Sequence, residues 1–89
     1  MLSSKDRILV DVRTPSEYAK GTIEDAINIP LTTINSSLEN FDKKSTIVVF
    51  CKSGFRSRIA KLLLQAKGFA KVVDGGSLEQ VTSNLPAQD

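Results

Sequence analysis

Short apolar runs alternate along this chain with longer segments in which apolar residues recur at helical spacing. Three runs, at residues 8–12, 26–29 and 46–50, are rich in β-branched residues and too short for helices, so each predicts a strand. Residues 72–73 predict a shorter, last strand. Pro30 ends the second strand, because proline has no N–H to donate to a sheet ladder.

A first helix is predicted directly after the first strand. Thr14 is placed to cap it, and Glu17, three positions later, completes a capping box. Pro15 fits the first helical turn, and the helix runs to about residue 20, where Gly21 ends it.

Two further helices follow from apolar spacing. Ile34, Leu38 and Phe41 predict an amphipathic helix after two candidate caps, Thr32 and Thr33. Residues 57–67 predict a longer helix that ends at Gly68, with one broad apolar stripe made of Ile59, Ala60, Leu63, Leu64 and Ala66. Residues 74–76 predict a turn, and the polar tail that follows has room for one helical turn before Pro86.

This alternation of strands and helices predicts a compact α/β domain. Its central, mainly parallel sheet would have four or five strands, right-handed crossovers and helices on both faces. The sequence shows no repeat, low-complexity segment or linker, so residues 1–89 form one domain. In such sheets ligands bind outside the carboxyl ends of the strands.

The composition narrows the possible functions. Hydrophobic residues make up 40% and charged residues 25%, as in globular proteins. The chain has five aromatic residues, no dense run of cations and no apolar run of membrane-spanning length, so we expect neither a nucleic-acid nor a membrane partner. The absence of histidine removes Cys-His pairs, Ser-His-Asp triads and histidine metal sites, and we expect no metal or cofactor.

The candidate chemistry lies at Cys51, the only cysteine, which follows the third strand. Gly54 permits a tight turn in which N–H groups converge on the sulfur, and the next helix adds its positive end. Four cations, Lys52, Arg56, Arg58 and Lys61, lie within ten residues of it. These features favour a thiolate, a nucleophile that needs no base.

Each of these residues also has a plainer interpretation. Cys51 would be a small buried apolar residue at a strand end, although the polar, cationic loop after it favours function. Arg56 either points to solvent or contacts an anion that offsets its unfavourable place at a helix N-terminus. Lys52 is either a solvated loop residue or a substrate contact, and Phe55 either lines the mouth of the site or packs on the helix.

The chain resembles the small, single-domain members of the rhodanese superfamily. Three signatures occur in the family's order, at residues 8–18, 21–30 and 51–57, and the pair Gly75-Gly76 also matches. The resemblance implies a sulfurtransferase that moves sulfane sulfur from a donor such as thiosulfate to cyanide or a thiol.

Carried onto this sequence, the resemblance makes Cys51 the catalytic residue and persulfide carrier. It implies that Asp11 and Arg13 shape the site without reacting. The residues expected to bind substrate, through loop N–H groups and cationic side chains, are Lys52, Ser53, Gly54, Phe55, Arg56 and Ser57.

The chain also departs from the family's pattern. Members often have histidine where Thr22 stands, glycine where Asp25 stands, and a tryptophan shortly after the double glycine, where this chain has residues 78–81 without one. The N-terminal segment is short as well, which favours four main strands over five. None of these departures removes Cys51 or its loop.

Two other functions are compatible with the same fold. One is a cysteine-dependent phosphatase, but that pattern brackets five residues between cysteine and arginine, whereas Cys51 and Arg56 bracket four. The other is a non-catalytic binding or regulatory module, although inactive relatives typically lack the cysteine that is present here.

The expected partners are a small anionic sulfur donor and a thiol or cyanide acceptor, with a protein donor or acceptor as an alternative. We expect a monomer. A single reduced cysteine favours the cytoplasm, and the alternative is a periplasmic protein whose signal peptide has been removed.

Overall fold

A computed structural model describes residues 7–39 and 41–84. Within that part of the chain the strands are β1 (Arg7–Asp11), β2 (Ile27–Asn28), β3 (Thr46–Cys51) and β4 (Lys71–Ser77). The helices are α1 (Pro15–Ala19), α2 (Ile34–Ser37), α3 (Phe55–Ala66) and α4 (Leu78–Asn84), and a 3₁₀ turn (Leu31–Thr33) precedes α2. None of the described helices is long and apolar enough to cross a membrane.

The four described strands form one parallel sheet in the order β2-β1-β3-β4. β1 and β3 lie at the centre and are the most buried, which explains why their sequences are apolar almost throughout. The predicted fold class is confirmed, with four strands in the described chain.

Alternate side chains of the central strands enter two separate cores, one on each face of the sheet. Val10 and Ile47 join the larger core, into which Ala60 and Leu64 of α3 also pack. The smaller core contains Leu9 and Phe50, against Val81 of α4 and Ala26. Helices therefore cover both faces of the sheet, as predicted.

The capping box predicted for α1 is present. Oγ1 of Thr14 accepts the N–H of Glu17, and Oε1 of Glu17 accepts the N–H of Thr14. Two N–H groups that the helix cannot satisfy internally are thus satisfied reciprocally. The entry to α1 is fixed by its own sequence.

The second helix is much shorter than predicted. Thr33 stands at the N-cap position, but its hydroxyl donates to the carbonyl oxygen of Pro30 and makes no capping hydrogen bond. Thr32 lies within the preceding 3₁₀ turn. The segment is rich in Asn and Ser, whose side chains compete for backbone partners and weaken helices. Ile34 and Leu38 are nevertheless fully buried, so the apolar spacing correctly predicted which residues pack.

The turn predicted at residues 74–76 is wrong, because β4 continues through Ser77. Pairing with β3 shifts register between Val49 and Phe50, so β4 passes this point with one extra residue.

The helical turn predicted in the tail is α4, seven residues long. Ser77 and Gln80 form a capping box at its start, and Pro86 lies outside the described residues.

The third helix begins at Phe55, two residues before the predicted start. Its buried face consists of Ser57, Ala60 and Leu64. Two residues assigned to the apolar stripe, Ile59 and Ala66, are instead exposed, which corrects the sequence prediction. Ser57, a polar residue, therefore lies on the buried face, where its hydroxyl bonds to Asp74 of β4.

Candidate active site

Cys51 is the last residue of β3, at the carboxyl edge of the sheet. Parallel pairing sets Asp11, the last residue of β1, beside Phe50, and sets Ser77 of β4 beside Cys51 itself. Three strand ends therefore meet at the cysteine, which is where parallel sheets place ligands.

The loop after Cys51 turns back on the sulfur. The N–H of Gly54 donates to Sγ of Cys51 over 2.9 Å. Gly54 has φ +91°, a left-handed conformation that favours glycine, and it immediately precedes α3. A Cβ at this position would stand 3.4 Å from Cα of Gly76, so the loop also packs tightly against β4.

Two opposing effects act on the pKa of Cys51. Burial is the largest single effect and raises the pKa, because Cys51 is 0% exposed and packs within the larger core. Backbone N–H groups of the loop and of the start of α3 act the other way, and they belong to Ser57, Gly54, Ser53 and Arg56. Together they outweigh burial, so the pKa of the thiol is lowered and the thiolate is favoured.

A buried hydroxyl fastens the start of α3 to β4. Ser57 Oγ donates to Oδ1 of Asp74 over 2.7 Å and lies 3.0 Å from the carbonyl oxygen of Gly54. The same Oδ1 accepts the N–H of Gly76 over 3.0 Å. Asp74 was not predicted as a site residue, because its partner is 17 positions away and nothing local marks it.

Asp11 and Arg13 form a buried ion pair at the end of β1. Nε of Arg13 lies 2.9 Å from Oδ1 of Asp11, and Nη2 lies 2.7 Å from Oδ2. Thr22 donates its hydroxyl to Oδ2 of Asp11 over 2.9 Å. The pair thus ties the loop after β1 to the segment before β2 and does not contact Cys51 in any described hydrogen bond.

The structure gives Arg56 a partner that the sequence did not suggest. Its Nη1 and Nη2 lie 2.8 Å and 3.1 Å from the two carboxylate oxygens of Glu17, a bidentate pair between α3 and α1. The hydrogen bonds from Arg56, and further ones from Thr14, lower the pKa of Glu17 to about 2. Arg56 therefore stands at the site with its guanidinium already engaged.

An open groove lies beside the cysteine loop. Its lining residues come from the loop, the start of α3, the end of β4 and α4, and they are Ser53, Gly54, Phe55, Arg58, Asp74, Gly75, Gly76 and Gln80. Lys52 is exposed on the loop but does not line this groove. Arg58 and Gln80 were not predicted as site residues, although the clustering of cations near Cys51 pointed toward Arg58.

A family profile, curated relatives and solved structures all relate this chain to the same family. The profile of the rhodanese-like domain matches residues 1–80. A sulfurtransferase of Allochromatium vinosum is 34% identical over 88 residues, 97% of this chain and 82% of that protein. The thiosulfate sulfurtransferase PspE of Escherichia coli is 34% identical over 74 residues, 81% of this chain and 71% of that protein. A solved rhodanese from E. coli superposes with a TM-score of 0.80 at 32% identity, covering 90% of this chain and 94% of that one.

Proposed function

This chain belongs to the family of rhodanese-like domains, and we propose that it transfers sulfane sulfur through a persulfide on Cys51. The observation that carries the proposal is the 2.9 Å contact from the Gly54 N–H to Sγ. It belongs to a set of backbone donors that lower the pKa of the thiol. A thiolate held by fixed donors needs no neighbouring base, which suits a chain without histidine.

In the first half of the proposed reaction, the Cys51 thiolate attacks the outer sulfur of a donor such as thiosulfate. A new S–S bond forms to Sγ, the S–S bond of thiosulfate breaks, and its electron pair leaves with sulfite. Cys51 becomes a persulfide and the total charge is unchanged. No separate oxidant or reductant is needed.

In the second half, cyanide or a thiolate attacks the outer sulfur of the persulfide. The bond between the two sulfurs breaks and its electron pair returns to Sγ, which releases thiocyanate or a new persulfide. The donors that lower the pKa of Cys51 make its thiolate a better leaving group. One set of N–H groups therefore assists both halves of the reaction.

Recognition of the donor follows from the charges around the loop. Thiosulfate is a dianion, and the loop offers N–H groups that point at one spot, with Lys52 exposed beside them and Arg58 in the groove. We assign attraction of the donor to these groups, while Arg56, paired to Glu17, holds α3 against α1. The similar rhodanese from E. coli was solved with anions, which agrees with an anion site in this fold.

Intact-protein mass spectrometry tests the proposal. After incubation with thiosulfate, the wild-type chain should gain the mass of one sulfur atom, and Cys51→Ser should gain none. Adding cyanide should remove that sulfur and produce thiocyanate in equal amount. Thermal unfolding of both proteins controls for loss of the fold.

The proposal fails if folded wild-type protein takes up no sulfur from thiosulfate and forms no thiocyanate. Hydrolysis of p-nitrophenyl phosphate, measured on the same samples, addresses the phosphatase alternative. Phosphate release that depends on Cys51, without sulfur uptake, would replace the proposed activity with phosphate-ester cleavage.

A further inference from the structure

The solvent face of α3 is apolar, which is unusual for a surface helix. Phe55 is 74% exposed, Leu62 62% and Ile59 36%, and Ala66 is exposed as well. These four residues follow the spacing i, i+4, i+7 and i+11, which lies along one helix face, opposite the buried one. We call them the apolar ridge.

Cations flank the apolar ridge. Helix α3 carries Arg56, Arg58 and Lys61 and contains no acidic residue, and Lys52 and Lys67 stand just before and after it. Only Arg56 among the three helix cations has a described carboxylate partner. A surface that is apolar in the middle and positive at its edge is complementary to one that is apolar in the middle and acidic at its edge.

The apolar ridge begins at the active site. Phe55 lines the groove next to Gly54, the residue whose N–H contacts Sγ of Cys51. Cys51 itself is 0% exposed, so an acceptor has to bring its own sulfur to the cysteine loop. An acceptor held there would have neighbouring residues over Phe55 and, farther along α3, over Leu62.

We propose that the apolar ridge docks a protein sulfur acceptor whose thiol lies in an apolar segment flanked by acidic residues. The inference rests on the proposed function and names its substrate class. The acceptor thiolate takes the outer sulfur of the Cys51 persulfide, the S–S bond to Sγ breaks with its electron pair on Sγ, and the acceptor leaves as a persulfide.

Charge argues against a second copy of this chain as the occupant. A symmetric dimer through α3 would place the same surface against itself, and Arg58 and Lys61 would face cations of the other copy. An acidic partner meets no such repulsion. The length also fits a short segment, since the seven helical steps from Phe55 to Leu62 span about 10 Å, the length of about three extended residues.

Synthetic cysteine peptides of about eight residues test the inference. One peptide flanks its cysteine with Leu and Phe and carries Glu at both ends, a second replaces Glu with Lys, and a third keeps Glu but replaces Leu and Phe with Ser. Sulfite release from thiosulfate gives kcat/KM for each peptide as acceptor. The acidic apolar peptide should exceed each of the others by about tenfold.

The variant Leu62→Gln tests whether the preference for the acidic apolar peptide depends on the apolar ridge. It should lower kcat/KM for the acidic apolar peptide about fivefold and leave thiocyanate formation from cyanide unchanged. Val73→Gln is the matched control, because Val73 is 48% exposed but lies on β4, and it should change neither rate. Thermal unfolding confirms that both variants are folded.

Each other result overturns the inference. Equal rates for the three peptides, or equal losses with peptide and cyanide in Leu62→Gln, would show that the apolar ridge docks no acceptor. A wild-type dimer in analytical ultracentrifugation that Leu62→Gln dissociates would make it a self-association surface. Normal thiocyanate formation in those cases leaves the proposed function intact, whereas absence of thiocyanate formation overturns both proposals.

Discussion

At the residue scale, Cys51 combines burial with a lowered pKa. A cysteine in an apolar interior is ordinarily inert, because burial raises the pKa of its thiol. Here the backbone N–H groups after β3 reverse that effect while the side chain stays covered. The sulfur is therefore activated although its side chain is covered.

Alkylation by iodoacetamide should reveal the lowered pKa of Cys51. Its rate should reach a plateau at lower pH than in a peptide, where a cysteine thiol has a pKa of about 8.5, because the N–H donors favour the thiolate. Mass spectrometry follows the reaction, and a single cysteine leaves no ambiguity about the labelled site. The urea-unfolded chain is the reference, and a folded midpoint equal to or above the unfolded one would contradict the predicted ionisation.

The ion pair Glu17–Arg56 joins α1 to α3 through side chains that are only partly exposed. The pKa of Glu17 falls from 4.5 to about 2, owing first to its hydrogen bonds with Arg56 and then to those with Thr14. Because the pKa of Glu17 is lower in the folded protein than in the unfolded chain, the carboxylate contributes stability that is fully present above pH 4.5. That contribution is lost as pH falls through about 2.

Glu17→Gln should therefore be less stable than wild type at neutral pH, and the difference should shrink as pH falls from 4.5 toward about 2. Melting temperatures of both proteins across this range measure it. Glu24→Gln is the control, since Glu24 is exposed and makes no described ion pair. A Glu17→Gln difference that does not change with pH would show that the carboxylate charge adds nothing.

At the scale of elements, the site depends on how β4 passes the cysteine loop. Gly75 leaves no space for a side chain, because a Cβ there would meet Cγ2 of Val81 at 2.5 Å and the backbone oxygen of Val49 at 3.2 Å. This close approach lets α4 pack on the sheet directly after the strand. The residue before Gly75, Asp74, accepts a hydrogen bond from Ser57 at the start of α3.

Gly75→Ala should destabilise the protein by about 1–3 kcal/mol, the usual cost of overpacking. The backbone of Gly75 is not in the left-handed region, so the effect is steric. Urea unfolding measures it, and the double variant with Val81→Ala should lose less than the sum of the single losses, because the clash is relieved. Simple additivity would show that Val81 is not the obstacle.

The sequence predicted those elements whose signals are local. β1 and β3 are continuous β-branched runs, and the cap of α1 lies within four residues, so each was recognised. β4 was cut short because its second half contains glycines, and only pairing with β3 makes them a strand. The exposed face of α3 was misassigned because apolar spacing does not reveal which apolar face meets the sheet.

The residues of the site also fall into those with local sequence signals and those that depend on distant contacts. Cys51 and its loop are contiguous and were identified from their residues, whereas Asp74 and Glu17 act on α3 from distant segments. The bond from Arg56 to Glu17 spans 39 positions and the bond from Ser57 to Asp74 spans 17. Such contacts exist only once the parallel sheet has brought the strand ends together.

At the scale of the whole molecule, charge is distributed unevenly about the sheet. The formal net charge is only +2, yet Arg58 lines the groove and Lys52 is exposed on the cysteine loop. Local cations steer a dianion more than net charge does, since screening in physiological salt limits their reach to about 8 Å. Lys71 stands at the other end of β4, away from the cysteine edge of the sheet.

Arg58→Gln should therefore lower kcat/KM for thiosulfate, by about threefold to tenfold at low salt, and should weaken the dependence of that rate on ionic strength. A cation near the start of α3 opposes the helix dipole, so its removal should not lower stability. Initial rates at increasing sodium chloride concentrations measure both effects, with Lys71→Gln as the control of equal charge change. If the two variants behave alike, the donor responds to total charge alone, and Arg58 has no particular part in drawing it into the groove.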